Sequence, residues 1–206
     1  MARYHKYVFD TMKRRFVGDF ERMYQNEGRE GFDSWHQEDS RQLGRRISFA
    51  LIQDYNFSTV VDLGCGKGAL THLLKRENNK VFAVDIAKTA ISVASARFPD
   101  IHFSCCDLTN PAEVERLYSS IAGPVALTFC SETLYYLPNW KKLLPLIAKH
   151  SEYALLRIHT PPDAIGFIKS ESSFMREVSR SFYLIEAVSL HRLNSTVLFA
   201  RTRHFK

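Results

Sequence analysis

Apolar and polar positions change rhythm at Thr59. From there on, short apolar runs at residues 59–63, 80–84, 101–106, 125–130 and 153–158 alternate with amphipathic stretches at 69–76, 87–98, 111–121 and 139–149. Brief runs with little internal alternation suit strands covered on both faces, and strand following helix in turn predicts a parallel sheet between layers of helix. Pro111 suits a first helical turn, whereas Pro145 is expected to kink or shorten its helix. The end of the chain breaks this rhythm. After a helix-like stretch at 166–182, two β-rich runs, 183–192 and 196–203, are separated by Leu193, Asn194 and Ser195, which is hairpin spacing.

The first 55 residues read as a helical preface. Phe9, Met12, Phe16, Phe20, Met23 and Tyr24 recur at three- and four-residue steps and predict an amphipathic helix. Asp33 or Ser34 is placed to cap a turn, and a further helix is expected over residues 40–55. The expected organisation is one domain over residues 1–206, with 1–55 as a helical cap or lid and 56–206 as the core. A length of 206 residues suits that reading.

Composition narrows the class. No apolar run reaches the roughly 20 residues of a membrane span, and the opening MARYHKYVFD is too polar for a signal peptide, so a cytoplasmic protein is expected. Cys65, Cys105, Cys106 and Cys130 show no metal-ligand spacing and read as reduced, buried thiols. The net charge of +6 is concentrated late, since residues 141–206 carry 11 basic and 5 acidic side chains. Solubility, an anionic small substrate and nucleic acid rank in that order as its source, because no dense Lys/Arg run interleaved with aromatics occurs.

The strongest chemical signal is Asp62-Leu-Gly-Cys-Gly-Lys-Gly68, where an apolar strand runs into Gly64, Gly66 and Gly68 and then a helix. Glycine allows backbone angles and close approaches that a Cβ blocks, so a bulky ligand can lie at the strand's carboxyl end. A phosphate-cradling loop needs Gly-Lys-Ser/Thr, but Gly68 follows Lys67; the dinucleotide fingerprint GxGxxG would place its third glycine one position later. Two further strands end in acids, Asp85 and Asp107. A carboxylate at the first of them can accept from both hydroxyls of a ribose.

In this order the motifs of residues 59–137 resemble those of class I S-adenosylmethionine-dependent methyltransferases. The resemblance implies a seven-stranded, Rossmann-like, mostly parallel α/β sheet with helices on both faces and an antiparallel C-terminal hairpin. It implies S-adenosylmethionine as cofactor and S-adenosylhomocysteine as product. Gly64, Cys65 and Gly66 would lie along the methionine part, with Asp62 near its amino group. Asp85 would hold the ribose, with Ile86 against adenine, while Asp107 would accept from the adenine amino group with Leu108 beside the ring. The segment Cys130-Ser-Glu-Thr-Leu-Tyr-Tyr-Leu137 matches the fourth motif, near the methyl group.

That fourth motif is not of the Asn-Pro-Pro-Tyr kind that implies nucleobase or glutamine methylation. It is similar to that of the small-molecule branch, including nodulation-type N-methyltransferases, and implies a small acceptor methylated on nitrogen or oxygen. No metal and no membrane partner are expected. The acceptor-side candidates are Glu132, Tyr135, Tyr136, His159, His36 and Trp35. His159 is either a base working near neutral pH or a polar strand end. Arg157, on the same side by alternation, faces either an anionic substrate or the core edge. Trp35 and His36 either close over the cofactor or pack, and at least one of Tyr135 and Tyr136 is expected to pack. A nucleic-acid or protein methyltransferase and a non-catalytic cofactor-binding protein remain as alternatives.

Overall fold

A computed structural model describes residues 5–39 and 41–203. The chain begins with a turn of helix, α1 (His5–Val8), and a small antiparallel ladder, β1 (Phe9–Asp10) with β2 (Arg15–Phe16), followed by α2 (Phe20–Glu30) and α3 (Leu43–Ala50). The core then alternates as β3 (Thr59–Leu63), α4 (Thr71–Leu74), β4 (Lys80–Asp85), α5 (Lys88–Arg97), β5 (His102–Cys105), α6 (Pro111–Ser120), β6 (Val125–Ser131), α7 (Trp140–His150) and β7 (Ser151–His159). It ends with α8 (Glu171–Val178), β8 (Phe182–Leu190) and β9 (Ser195–Thr202).

The seven core strands lie in the order β5-β4-β3-β6-β7-β9-β8, parallel from β5 to β7, with β9 antiparallel to both β7 and β8. The sequence reading is matched here, because fully buried strands such as β3 need cover on both faces. One apolar cluster gathers Val61, Leu63, Cys130, Leu144 and Phe174, and the other gathers Val60, Leu127, Phe129 and Phe199. Consecutive residues of one strand fall into different clusters, as strand alternation requires. From β3 the chain moves out to β4 and β5, then returns to lay β6 on the other side of β3. The carboxyl ends of β3 and β6 therefore face a crevice at the reversal of strand order, where open α/β sheets place ligands.

Several sequence expectations are corrected. The apolar stripe from Phe9 to Tyr24 is not one helix. Arg14 (φ 46°) and Gly18 (φ 72°) turn the chain twice, and helix starts only at Phe20, capped by the Asp19 side chain accepting from the N–H of Arg22. Met12 sits between the two short strands, 93% exposed. The expected helix over 40–55 shortens to α3, and Ser40 lies outside the described residues, as does His204. The helix over 166–182 shortens to α8, begun by the Ser170 hydroxyl accepting from the N–H of Ser173. Pro145 does not end α7. Both it and Lys141, whose carbonyl loses its intrahelical donor, are exposed, so water can serve that carbonyl. Cys105 is exposed on the edge strand, while Cys65, Cys106 and Cys130 are buried. Among the described residues no helix is long and apolar enough to cross a membrane.

Candidate active site

The loop after β3 is drawn against the end of β4. The N–H groups of Gly64 and Cys65 both donate to the Val84 carbonyl, at 2.8 and 2.9 Å, and that of Gly66 donates to Asp85 Oδ2 at 2.9 Å. Gly64 has φ 84°, and a Cβ there would collide with Thr133 just beyond β6. Gly66 has φ 54°, and a Cβ would stand 2.8 Å from the Tyr24 hydroxyl. Both the backbone angle and the crowding therefore demand glycine. Asp62 lies buried beneath this bend, where its Oδ2 accepts from the Thr71 hydroxyl at 2.6 Å. Burial, opposed by that hydrogen bond, pushes its carboxyl up to about 7.

A cavity of about 330 Å³ opens over the bend, within the range of small-molecule sites. Asp62, Gly64, Cys65, Gly66, Asp85, Ile86, Asp107, Leu108, Trp35, Glu132 and Tyr135 all line it. Asp85 also accepts from the N–H of Ala87 at 2.9 Å. Burial raises its carboxyl, and these backbone donors pull the other way. Asp107 Oδ1 accepts from the N–H and hydroxyl of Thr109, at 2.8 and 2.7 Å. Ile86 is 51% exposed at the rim although apolar, while Leu108 is buried.

The preface supplies cavity-lining residues to which the sequence reading gave no site role. Phe16, Phe20, Tyr24, Gln37 and Arg45 line the same cavity. Gln37 Nε2 donates to the Tyr24 hydroxyl at 3.1 Å, and its Oε1 accepts from the N–H of Lys67 at 3.1 Å. Lys67 reaches back from the glycine bend to the Glu27 and Asp33 carboxylates. Burial disfavours its charge, but those two carboxylates prevail and hold its ammonium above the usual lysine range. Trp35 and His36 both adopt left-handed backbone, φ 57° and 49°. The Arg45 guanidinium donates to the carbonyls of Trp35, His36 and Asp39 at 3.1, 2.6 and 2.6 Å, which offsets the roughly 1–2 kcal/mol cost of each strained residue. Nothing in the motif pattern signals this role, since Arg45 is one of two adjacent arginines on a short amphipathic helix.

At the end of β6, Glu132 also has positive φ, 58°. Its N–H donates to the Arg157 carbonyl at 2.7 Å, and its Oε1 lies 3.1 Å from the Arg157 guanidinium. The Tyr135 hydroxyl donates to Glu132 Oε2 at 3.4 Å, and burial keeps that phenol well above its usual range. Tyr136 packs in the aromatic group of Phe16, Phe20 and Trp35, with ring centroids 5.3–6.1 Å apart, and also lines the cavity.

Glu132, Tyr135, Arg45 and Arg157 also line a second cavity of about 810 Å³. The other candidates fall there or elsewhere. His159 lines the second cavity and not the first, with Nδ1 at 3.1 Å from the Leu193 carbonyl. His36 is exposed and lines only the second. Cys130 lines neither: Phe129 and Ser131 face the first cavity, so alternation turns Cys130 into the core on the opposite face.

Comparison with known proteins agrees with this geometry. Residues 60–151 match the family described as the methyltransferase domain. Over those residues the core is similar to methyltransferase domains. A trans-aconitate 2-methyltransferase of Azoarcus sp. (strain BH72) is 32% identical over 114 residues, covering 54% of this chain and 42% of that protein. The match thus spans under half the length of this curated relative. Among solved structures, a methyltransferase from Anabaena variabilis superposes with a TM-score of 0.71 at 12% identity, covering 89% of this chain and 93% of that one. The N-methyltransferase NodS of Bradyrhizobium japonicum, crystallised with S-adenosylhomocysteine, gives 0.67 at 16% identity, covering 88% and 98%. At these identities the two structures share the methyltransferase fold with this chain, and the expected seven-stranded, mostly parallel sheet with its antiparallel C-terminal hairpin is the one found.

Proposed function

We propose that this methyltransferase domain transfers a methyl group from S-adenosylmethionine to nitrogen or oxygen of a small anionic molecule. The supporting observation is convergence: the glycine bend, Asp85 with Ile86, and Asp107 with Leu108 line one cavity. These residues fit the cofactor. Ile86 presents an apolar face at the rim as an adenine neighbour would, and Asp107 uses Oδ1 locally, leaving Oδ2 for the adenine amino group. Asp85 would accept from the ribose hydroxyls, and Asp62 would stand under the cationic amino group. When bound, the sulfonium supplies an already electrophilic methyl. The chain's task is therefore to align an acceptor and exclude water.

Residues 5–39 act as a cap held to the glycine bend through Lys67, Glu27 and Asp33. Glu132, at the junction of the two cavities, is the candidate base for an acceptor that must lose a proton, with Tyr135 orienting it. His159 and His36 line the acceptor side as further polar contacts. The curated relatives are named for trans-aconitate, a small anion, and this supports the same acceptor class. The test is a thermal melt with S-adenosylhomocysteine, expected to raise the melting temperature. It is followed by transfer of labelled methyl from S-adenosylmethionine to a small-metabolite extract, with total RNA and protein in parallel. Label found only in RNA or protein would overturn the acceptor class.

A further inference from the structure

Two guanidinium groups lie at the junction of the cavities, where the Glu132 carboxylate meets that of Arg157. Arg45 is 5% exposed and Arg157 is as deeply placed; the Nε of each is buried and carries no hydrogen bond. Arg45 is occupied by the backbone carbonyls of the 35–39 segment. Arg157 has Glu132. Arg45 also feels the carboxylates of Asp39 and Asp33, whereas Glu132 is the carboxylate at ion-pair distance from Arg157, and a buried charge that loses its partner is costly. The second cavity adds His36, His159 and Arg192, against which Asp163 is the other acidic residue among its described lining.

The ion pair is also asymmetric. The side chain of Arg157 is 5% exposed and fixed in a central strand, whereas that of Glu132 is 31% exposed. Of the two, Glu132 has room to move aside. What it would leave behind is a buried guanidinium fork at the wall of both cavities, with a vacated carboxylate position beside it. A fork of parallel N–H donors matches a planar carboxylate. The vacated position held one planar carboxylate, which a carboxylate matches in shape and charge better than a tetrahedral phosphate dianion.

Resting on the reading of the site as a methyl-transfer centre, we propose that Arg157 determines acceptor specificity. It exchanges Glu132 for a carboxylate of the acceptor, and Glu132 is that carboxylate's built-in competitor. The exchange anchors the acceptor across the junction and frees Glu132 beside it.

The experiment uses the full chain saturated with S-adenosylhomocysteine at constant ionic strength. Succinate, benzoate and citrate are titrated by thermal shift and calorimetry, with succinamide, benzamide and inorganic phosphate in parallel. Carboxylates are expected to stabilise the protein and the amides are not. Glu132→Gln is expected to tighten carboxylate binding several-fold, because the competitor is gone, whereas a merely structural ion pair would make that variant bind worse. Arg157→Gln is expected to abolish the carboxylate response while keeping the S-adenosylhomocysteine shift. If Arg157→Gln does not fold, Arg157→Lys keeps the charge without the fork and is expected to bind carboxylates roughly tenfold more weakly. Equal responses to acids and amides, weaker binding by Glu132→Gln, or a response to phosphate alone would each overturn the proposal. Loss of the S-adenosylhomocysteine shift in the unmodified chain would instead defeat the methyl-transfer reading beneath it.

Discussion

Asp85 Oδ2 accepts the backbone N–H of Gly66 at 2.9 Å, so the acid that ends β4 also pins the glycine bend that ends β3. One side chain therefore shapes the pocket floor and, in the proposed function, holds the ligand as well. Asp85→Ala is expected to weaken S-adenosylhomocysteine binding by about 1–3 kcal/mol, through loss of a charge-assisted hydrogen bond and a loosened bend. Asp85→Asn, which can still accept from Gly66, is expected to lose less. Calorimetric titration of the two variants checks the order, and equal losses would show that Asp85 serves the ligand alone.

Asp62 gives a pH dependence with a definite sign. Burial raises its carboxyl from 3.8 to about 7, so between those values the folded protein holds a proton that the unfolded chain has released. Stability without ligand is then expected to fall as pH rises from about 4 to 7, and the raised Asp85 carboxyl contributes in the same direction. A ligand ammonium above Asp62 favours the ionised form. Affinity for S-adenosylhomocysteine is therefore expected to climb with pH up to about 7 and then level, with proton release on binding below it. Calorimetry in buffers of differing ionisation heat measures that proton. Asp62→Asn should bind without releasing it.

Gly64→Ala combines two faults, a left-handed residue with a Cβ and a clash with Thr133. A loss of roughly 2–5 kcal/mol is expected from strain and overpacking together. Adding Thr133→Ala should recover part of it, since the clash is relieved and φ is not. Urea denaturation of the single and double variants measures the split, and full recovery would place the whole cost in the clash.

Lys67 couples the preface to the glycine bend through Glu27 and Asp33. Lys67→Met leaves the nearly buried Glu27 without its partner and is expected to cost of the order of 3 kcal/mol. Glu27→Gln in the same chain should soften that loss, because no charge is stranded. Limited trypsin digestion is expected to cut sooner at Arg29 or Arg41 in the single variant. An unchanged digestion pattern would show that the cap is held by its aromatic packing alone.

Sequence patterning carried much of this molecule and stopped at identifiable places. Strand ends were legible because Asp85 and Asp107 each close an apolar run and the glycine bend closes another, and a parallel strand must deliver its last residue to the same edge as its neighbours. The glycine bend was legible because a left-handed residue crowded by Thr133 leaves few substitutes. By contrast, Phe9 to Tyr24 keeps helical spacing across a hairpin, since rings that converge on Tyr136 need a common direction in space rather than a common helix. Cys130 was placed one residue out, because a motif names a strand end without saying which face each side chain takes.

The sequence by itself determined the alternating sheet, the acids at the crevice and the glycines, all of which follow from local spacing and backbone geometry. Only the tertiary structure decided the charge arrangement where the two cavities meet. Arg45, Arg157 and Glu132 come from three separate elements, and their meeting depends on how α3, β6 and β7 pack. No local period records that charge balance, because it exists only between segments distant in the chain.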